Sequence, residues 1–406
     1  MKIAVAQLGA RMHYAVPRIF AANAALSRLF TDLYSGRGVG GILSLLPSRL
    51  LPASGRKLAA RQVAEIPKDR VTAFGILGVR YWSRLRSART PRDCAEVHLW
   101  AGDELGRLIL KHGLGDADTL YTYNSASLRL LRHAREHGIR TLYEQTIAPV
   151  AVELELMSEE RRRWPEWEDS ADPAEFYGPF LENEREEWHL ADRIVCGSPF
   201  VAEGIRNCGG PSSETRVVPY GVDLPVAAPL NRPPAAPRSR PLRVLTVGTV
   251  CLRKGAPYLA AAAKALAGRA EFRVVGPVAL TPYGSGELQS RVDLVGPVPR
   301  SEMAAHYSWA DVFLLPSLCE GSATATYEAL SQGLPVVTTF NSGSPVVDGE
   351  TGFIVPIRDV ESMSKALEDL AADRDKLAQM SEAAILQSRS LSVASYGTRL
   401  MQAIEP

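Results

Sequence analysis

The stretch of sequence that decides the fold is LLPSLCEGSATATYEALSQGLPVV, residues 314–337. Its first apolar run is typical of a buried strand, and a loop around Gly321 follows. The pattern then predicts a helix from about Thr324 to Gln332, which Gly333 ends before another apolar run begins. Strand, loop, helix and strand in this order indicate a parallel α/β sheet.

The same alternation recurs across residues 242–391. An Ala-rich helix is expected at 256–268. Short apolar runs closed by Gly, Pro or Ser are expected to form strands at 242–250, 271–278, 291–298, 310–317 and 334–340. We therefore predict a doubly wound domain, whose ligand should lie at the carboxyl ends of the strands.

The remainder of the chain predicts a second domain of the same class. Residues 1–223 contain three runs that are typical of buried strands, at 2–8, 191–198 and 215–223. The segment 224–241 holds six prolines and is predicted to be a stiff linker. Residues 392–406 form an amphipathic helical pattern, which we expect to pack back on the first domain.

The composition excludes several classes of protein. Of the 406 residues, 46% are hydrophobic and 22% are charged, which is ordinary for a globular chain. The formal net charge of +1 argues against a dedicated nucleic-acid binder. No apolar run reaches the roughly 18 residues of a membrane span, and the N-terminal run is typical of a buried strand rather than a signal peptide.

The cysteines indicate a reducing compartment. Five are present, widely scattered, and none forms a CxxC pair. This pattern favours neither a disulfide framework nor a zinc site. We therefore expect a cytoplasmic protein.

Two blocks of opposite charge lie in the first half. Residues 49–92 hold eleven Lys/Arg against two acids, and residues 153–187 hold thirteen acids against four arginines. The two blocks could be solvated faces that partly pair with each other. Alternatively, the basic block, which includes Trp82, could face anionic lipid at the inner face of the cell membrane.

One motif is suited to a phosphate group. VGTVCLRKGAPYL, residues 247–259, places Gly248, Arg253 and Lys254 between a strand and the start of a helix. Unpaired amides and positive charge at a helix N-terminus favour an anion. A solvated helix start is the alternative interpretation.

A second motif contains two glutamates, Glu320 and Glu328, separated by small, hydroxylic and aromatic residues. The small side chains allow a ligand to approach the backbone, and the amides near Thr324 and Ala325 suit a phosphate. Alone, each carboxylate could simply face solvent, and a glycosidase-type acid–base pair is a further alternative.

Together these motifs resemble the GT-B nucleotide-sugar glycosyltransferases of the retaining, family 4 type (glycosyltransferase group 1). The resemblance implies an α/β fold of two Rossmann-like, doubly wound parallel-sheet domains that face a central cleft. The stretches that carry it are EREEWHLADRIVCGSPFV (184–201), VVPYGVD (217–223), VGTVCLRKG (247–255), PSLCEGSATATYEALSQGLPVV (316–337) and DGETGFIVP (348–356).

The resemblance also implies roles for individual residues. Glu320 would contact the donor sugar, Glu328 the ribose and Lys254 the diphosphate, and Glu320, Arg253 and Lys254 would form the catalytic set. The implied donor-binding residues are Gly9, Gly248, Thr249, Gly296, Gly321, Ser322, Ala323, Thr324, Ala325 and Glu328.

The sequence departs from the family pattern at several positions. Thr249 stands where the family has Arg, and we expect Arg253 to replace that Arg. Ser322 and Ala323 replace an aromatic residue and a glycine. Glu144 stands in place of a histidine that contacts the sugar, so we treat Glu144 as a candidate contact for the sugar or the acceptor. His13, near the first loop, is a second candidate for such a contact; the alternative is an ordinary surface histidine.

The implied reaction is transfer of a sugar, with retention and without a protein nucleophile, from a UDP- or GDP-sugar to a hydroxyl of a saccharide or lipid-linked acceptor. Cell-surface polysaccharide or lipopolysaccharide synthesis is the expected setting. No DxD pair is suitably placed, so we expect no metal and no cofactor beyond the nucleotide sugar. The alternatives are a GT-B-like epimerase, a phosphorylase, which should be far longer, and an inactive nucleotide-sugar-binding scaffold.

Overall fold

A computed structural model describes residues 1–35, 63–169, 177–223 and 240–405 of the chain. Most of the predicted linker 224–241, and the basic segment 49–92 before residue 63, lie outside these ranges. Within them, no helix is both long and apolar enough to cross a bilayer.

The N-terminal domain is built on a seven-stranded parallel sheet with the order β3-β2-β1-β4-β5-β6-β7. Its strands are β1 (Ile3–Gln7), β2 (Leu26–Thr31), β3 (Val71–Ala73), β4 (Thr119–Tyr123), β5 (Arg140–Gln145), β6 (Arg193–Cys196) and β7 (Thr215–Val217). Its helices are α1 (Ala15–Ala22), α2 (Gly75–Ser87), α3 (Pro91–His112), α4 (Leu128–Glu136), α5 (Val150–Arg163), α6 (Gly178–Leu190) and α7 (Pro199–Asn207).

The C-terminal domain contains a six-stranded parallel sheet with the order β10-β9-β8-β11-β12-β13. Its strands are β8 (Leu242–Val247), β9 (Ala270–Val275), β10 (Asp293–Gly296), β11 (Val312–Leu315), β12 (Val336–Thr339) and β13 (Gly352–Val355). The helices are α8 (Ala256–Ala265), α9 (Pro282–Gln289), α10 (Met303–Trp309), α11 (Thr324–Ser331), α12 (Val360–Ala372) and α13 (Arg374–Ser388), followed by α14 (Val393–Ala403).

The apolar runs of the central strands form strands because helices cover both faces of each sheet there. Every residue of β1 and of β11 is buried. The strands are shorter than the runs that predicted them, since the last residues of each run turn into the loops at the carboxyl edge. The prediction of a buried strand over 215–223 is wrong: β7 has three residues, and Arg216 and Val217 are exposed because β7 is the edge strand.

Each sheet has one point at which the strand order reverses. In the N-terminal sheet it lies between β1 and β4, and in the C-terminal sheet between β8 and β11. The loops that follow these strands diverge to opposite sides of the sheet and leave a crevice, which is where open α/β sheets bind ligands. Both candidate motifs of the C-terminal half follow strands at this point.

Two segments cross between the domains. The side chains of Met157 and Trp167 are buried in the hydrophobic core of the C-terminal domain, although they follow β5 in the chain. In the same segment, buried Glu160 accepts a hydrogen bond of 2.7 Å from Tyr258 Oη. In the opposite direction, α14 packs on α1, where a Cβ at Gly397 would lie 3.2 Å from Ile19.

Two buried glutamates on α6 hold the starts of other helices. Glu187 Oε1 accepts hydrogen bonds from the amides of Ser127 and Leu128 at the start of α4. Glu184 Oε2 accepts one of 2.9 Å from the amide of Val150, the first residue of α5. Burial raises the pKa of both carboxyl groups to about 7. The stretch EREEWHLAD thus has a structural role in orienting the loops after β4 and β5.

These pKa values predict a stability that depends on pH. Between about pH 4.5 and 7 the folded state keeps protons that the unfolded chain releases, so the free energy of unfolding should fall as pH rises through this window. The substitution Glu187→Gln removes one such group. We expect urea unfolding to show a less stable variant overall, but with a smaller loss of stability between pH 5 and pH 8 than the parent protein.

The control is Glu186→Gln on the same helix, where the exposed carboxylate pairs with Arg132. This variant should keep the pH dependence of the parent above pH 5. An unchanged pH dependence in Glu187→Gln would contradict the prediction.

Candidate active site

The first part of the site follows β8. The chain forms a short 3-10 turn over Leu252–Lys254 and enters α8 through Gly255, which has a φ of 75°. A Cβ at Gly255 would lie 2.2 Å from the carbonyl oxygen of Pro316, so only glycine lets this turn press against the end of β11. Lys254 in turn lies over Gly248, its Nζ 3.6 Å from the position of a Cβ there. Gly248 and Thr249 thus line the path from β8 to the two cations.

The second part of the site follows β11 and carries Glu320. One carboxylate oxygen, Oε1, lies 2.8 Å from Arg253 Nη1 and 2.7 Å from Lys254 Nζ. Arg253 Nη1 also donates a hydrogen bond of 2.7 Å to the carbonyl oxygen of Cys319. The loops after the two central strands are therefore joined by one carboxylate that two cations share.

The electrostatics keep Arg253 charged. Burial lowers the pKa of the Arg253 guanidinium, but the Glu320 carboxylate and neighbouring groups outweigh burial, and the pKa is raised overall. A further carboxyl group, Glu153 at the start of α5, is close enough to interact with both residues. Its pKa is raised, mainly by burial.

Hydrogen bonds to the rest of the C-terminal domain fix the loop between Glu320 and α11. Ser322 Oγ lies 2.7 Å from Tyr327 Oη and donates a hydrogen bond of 3.1 Å to the carbonyl oxygen of Gly343. The amide of Ala323 donates to the carbonyl oxygen of Ser342 at 3.0 Å. These contacts point the hydroxyl of Ser322 into the C-terminal domain, so at this position the loop offers its backbone to the cleft.

The start of α11 is open to a ligand. Its N-cap residue, Ala323, provides no side-chain hydrogen bond to the first turn. Thr324 is exposed and Ala325 is half-buried. The amides of an uncapped first turn favour an anion.

Glu328 lies one turn into α11. Its Oε2 accepts a hydrogen bond of 2.9 Å from Tyr307 Oη on α10, and its Oε1 is 3.5 Å from Arg300 Nη2. Burial, and to a smaller extent the Glu328 carboxylate, raise the pKa of the Tyr307 hydroxyl well above its usual value. The hydroxyl therefore remains a hydrogen-bond donor. The side chain of Glu328 stays 31% exposed, which leaves its carboxylate accessible to hydroxyl groups.

A cavity of about 450 Å³ separates this cluster from the N-terminal domain. Its C-terminal wall contains Arg253, Glu320, Gly321 and Ser322. The opposite wall consists of Arg11, Met12, Val16, Tyr123, Asn124, Glu144, Thr146, Ile147 and Tyr220. The opposite wall is built largely from residues at the carboxyl ends of β1, β4 and β5, so both sheets contribute to one cleft.

The domains touch at the edge of this cavity. A Cβ at Gly321 would lie 1.9 Å from the carbonyl oxygen of Thr146, and Ser198 Oγ donates a hydrogen bond to the carbonyl oxygen of Gly321. The loop that carries Glu320 is therefore also a contact surface between the domains.

The weaker candidates occupy different positions. Glu144 is buried at the cavity wall, where it accepts hydrogen bonds from Tyr121 Oη at 2.5 Å and Tyr220 Oη at 2.8 Å. Burial raises the pKa of the Glu144 carboxyl group. His13 is exposed in the turn after β1, and the side chains that reach the cavity from this turn are those of its neighbours.

The two loop glycines have room around them. Gly9, after β1, and Gly296, at the end of β10, both have positive φ angles, of 73° and 81°. At both positions the space that a Cβ would occupy is open to 4 Å. This fits close approach of a ligand to the backbone, although neither residue contacts the Glu320 cluster directly.

Sequence reasoning missed three residues of the site. Arg11 is one of them, although a cation just after the strand-end residue Gly9 is a usable signal in the sequence. Glu153 and Tyr307 lie within ordinary helical patterns, and nothing in the sequence indicates their proximity to Glu320 or Glu328.

Comparison with known proteins agrees with this arrangement. A family model described as "Glycosyl transferases group 1" matches residues 241–373. The putative colanic acid biosynthesis glycosyltransferase WcaL of Escherichia coli strain K12 is 31% identical over 204 residues, which are 46% of this chain and 50% of that protein. The alignments cover 35% to 56% of the lengths of the first three curated relatives.

Solved structures match over nearly the whole chain. The sucrose-phosphate synthase of Thermosynechococcus elongatus has a TM-score of 0.64 at 17% identity, over 99% of this chain and 98% of that one. The Anabaena protein Alr3699/HepE, in complex with UDP, has a TM-score of 0.60 at 14% identity, over 100% and 99%.

The fold is therefore GT-B, as predicted. The match to the glycosyl transferases group 1 model lies within the C-terminal half of the chain.

The contact at Gly321 leads to a testable prediction. Gly321→Ala forces the Thr146 carbonyl and the loop apart, which should destabilise the protein by roughly 1–3 kcal/mol. We expect a lower thermal midpoint and, by small-angle X-ray scattering, a larger radius of gyration.

Gly286→Ala is the matched control, because a Cβ at this position on α9 meets open space. Its thermal midpoint should be equal to or above that of the parent. A Gly321→Ala variant with the parent's stability and radius would contradict this view of the contact.

Proposed function

We propose that this protein transfers a glycosyl group from a nucleotide diphosphate sugar to a hydroxyl of a saccharide or lipid-linked acceptor, with retention of anomeric configuration. The observation that carries the proposal is the cluster of Arg253, Lys254 and Glu320 at the strand-order reversal of the C-terminal sheet. The cluster faces a cavity whose opposite wall belongs to another domain, which leaves a place for a second substrate.

The diphosphate is proposed to bind Arg253, Lys254 and the first amides of α11. Negative charge grows on the departing nucleotide diphosphate as the glycosidic bond breaks, and fixed positive groups stabilise that charge. Two cations and a helix N-terminus would supply the neutralisation that other enzymes obtain from a divalent ion. We therefore propose that turnover is independent of metal, and that it persists after treatment with EDTA.

Glu320 is proposed to orient the sugar rather than to act as a base. Its carboxylate is held against two cations, by Arg253 Nη1 at 2.8 Å and Lys254 Nζ at 2.7 Å. Phosphate oxygens that bind the cations would release Glu320 to accept hydrogen bonds from sugar hydroxyls. The phosphate oxygen that leaves the sugar would then accept the proton of the acceptor hydroxyl, on the same face of the ring.

Glu328 is proposed to bind the ribose. It is partly exposed, and Tyr307 fixes one of its oxygens. The other oxygen, 3.5 Å from Arg300 Nη2, is available to two neighbouring hydroxyls. The donor is proposed to be a UDP- or GDP-sugar; the Anabaena neighbour is in complex with UDP, and one relative is named as GDP-mannose-dependent.

The biological setting is proposed from the relatives. The E. coli relative is named for colanic acid biosynthesis. We therefore propose that this protein acts in the assembly of a cell-surface polysaccharide or lipopolysaccharide, where acceptors are commonly lipid-linked.

The basic segment is proposed to rest on an anionic membrane. On α2, Ile76, Val79 and Trp82 are 75%, 50% and 47% exposed, and their spacing keeps them on one side of the helix. Arg86 stacks on Trp82, at 4.6 Å from the ring centroid. Cations around exposed apolar side chains favour an anionic lipid surface.

The alternative, that the basic block pairs with the acidic block, has little support. Among the described residues, no ion pair joins 63–92 to 153–187. Two arginines of α2, Arg80 and Arg84, instead stack on Trp100 of α3, at 5.4 and 3.8 Å from the ring centroid.

The donor site is tested first by nucleotide binding. We expect one of UDP, GDP and ADP to raise the thermal midpoint, because a ligand that binds only the folded state stabilises it. Glu328→Gln should weaken binding of that nucleotide roughly ten- to hundredfold, through loss of charge-assisted hydrogen bonds. Lys254→Gln should lower turnover of the sugar nucleotide about a hundredfold or more.

Glu382→Gln, an exposed substitution on α13, is the control and should leave binding and turnover unchanged. Full transfer by a Glu320→Ala variant would refute the proposed role of Glu320. Turnover of the sugar nucleotide without any acceptor, to an isomeric sugar nucleotide, would favour an epimerase.

The membrane surface is tested with vesicles that contain anionic phospholipid. Trp82→Ser and the triple substitution of Arg80, Arg84 and Arg86 by Gln should each reduce co-sedimentation, through lost apolar burial and lost charge respectively. Leu386→Ser is the matched control, since Leu386 is 64% exposed on α13 of the other domain. Equal sedimentation of all variants would refute the proposed surface.

A further inference from the structure

The turn after β1 has an unusual backbone. Three consecutive residues other than glycine, Met12, His13 and Tyr14, have φ angles of 46°, 51° and 60°. Left-handed backbone costs such residues roughly 1–2 kcal/mol each, so a run of three persists only where its surroundings impose it. Strain of this kind is concentrated at functional sites.

The turn is anchored at both ends. The amide of Gly9 donates a hydrogen bond of 2.9 Å to Asp32 Oδ1. At the other end, Tyr14 is buried and its hydroxyl donates to the carbonyl oxygen of Leu33 at 3.1 Å. Between these anchors, Arg11 and Met12 line the cavity.

The result is that Arg11 faces the cavity from the N-terminal domain. Its Nη1 donates a hydrogen bond of 2.8 Å to Thr146 Oγ1, and its guanidinium carbon lies 5.2 Å from the centroid of the Tyr123 ring. Thr146 Oγ1 donates in turn to Asn124 Oδ1 at 2.7 Å. A hydroxyl and an aromatic face orient the guanidinium, whose charge also acts on the buried Glu144 carboxyl group and lowers its pKa against the larger effect of burial.

The carboxylates in the cavity walls have other partners. Glu144 is held by two tyrosine hydroxyls, and Glu320 by Arg253 and Lys254. Within the part of the chain that the structure describes, Arg11 forms no ion pair with a carboxylate. A guanidinium has five N–H donors in a planar fork that matches a carboxylate or phosphate. Among the described residues, only Nη1 of this fork has a protein acceptor.

We propose that Arg11, with Thr146 and Asn124, forms a subsite for an anionic group on the acceptor, a carboxylate or a phosphate. The inference rests on the proposed glycosyl transfer. The donor diphosphate has its own cations on the opposite wall, so the charge of Arg11 is left for the second substrate. An acceptor anchored there would lie across the cavity from Glu320, beside the proposed donor sugar.

The test compares sugar probes that share a glucose-type ring and either carry an anionic group or lack one. Methyl glucuronide and methyl glucoside are titrated by calorimetry into the full chain saturated with the nucleotide that it binds, and glucose 1-phosphate serves as the phosphate arm. We expect the glucuronide, the phosphate or both to bind at least tenfold more tightly than the glucoside. Arg11→Gln should remove this preference, a loss of about 10- to 100-fold in affinity for the anionic probe.

Two further variants make the result specific. Arg11→Lys keeps the charge but loses the fork, so an intermediate affinity is expected. Arg92→Gln is the control, since Arg92 is exposed on α3 and pairs with Glu96. Thermal midpoints near that of the parent show that each variant is folded.

The outcomes separate the two proposals. Equal binding of charged and neutral probes, or an anion preference that survives Arg11→Gln, overturns the subsite alone. A loss of nucleotide affinity as large as the loss of probe affinity assigns Arg11 to the donor diphosphate, and also overturns it. Failure of every nucleotide to bind the parent protein instead refutes the proposed function.

Discussion

The ion pairs between the Glu320 carboxylate and the side chains of Arg253 and Lys254 are the interaction on which the site depends. They join the ends of β8 and β11, the two strands between which the sheet reverses its order. Two cations on successive residues repel each other, and a shared carboxylate compensates for this repulsion. In the proposed reaction, a diphosphate takes over that role, so the charge balance of the cluster is preserved while the carboxylate turns to the sugar.

Much of the C-terminal domain could be predicted from the sequence, because each apolar run there ends at Gly, Pro or Ser and forms one strand. The spacing of Glu320 and Glu328 also located one carboxylate in a loop and the other in α11. The N-terminal sheet was harder to predict. Its strands β2, β3 and β4 read LSRLFT, VTA and TLYTY, too polar or too short to be distinguished from loops. All of β4, most of β2 and Val71 of β3 are buried because neighbouring strands and helices cover them.

What the sequence could not indicate are contacts between residues that are distant in the chain. Arg11 meets Thr146 across 135 positions, and Tyr307 meets Glu328 on another helix. The left-handed turn after β1 contains no glycine beyond Gly9, so no residue type signals it. The edge position of β7 is likewise a property of the sheet, and a single apolar run carries no information about its neighbours.

The segment from α5 to Trp167 belongs to the N-terminal half of the chain, yet its side chains complete the hydrophobic core of the other domain. The two halves are therefore not separate modules in the sense that chain order suggests. A chimera cut within the Pro-rich segment would leave Met157 and Trp167 without their native pocket and would open a void beneath α8. An exchange of N-terminal domains between relatives would therefore have to keep α5 and the segment up to Trp167 together with the C-terminal domain on which they pack. Otherwise the surface of the C-terminal domain that contacts this segment would have to be adapted.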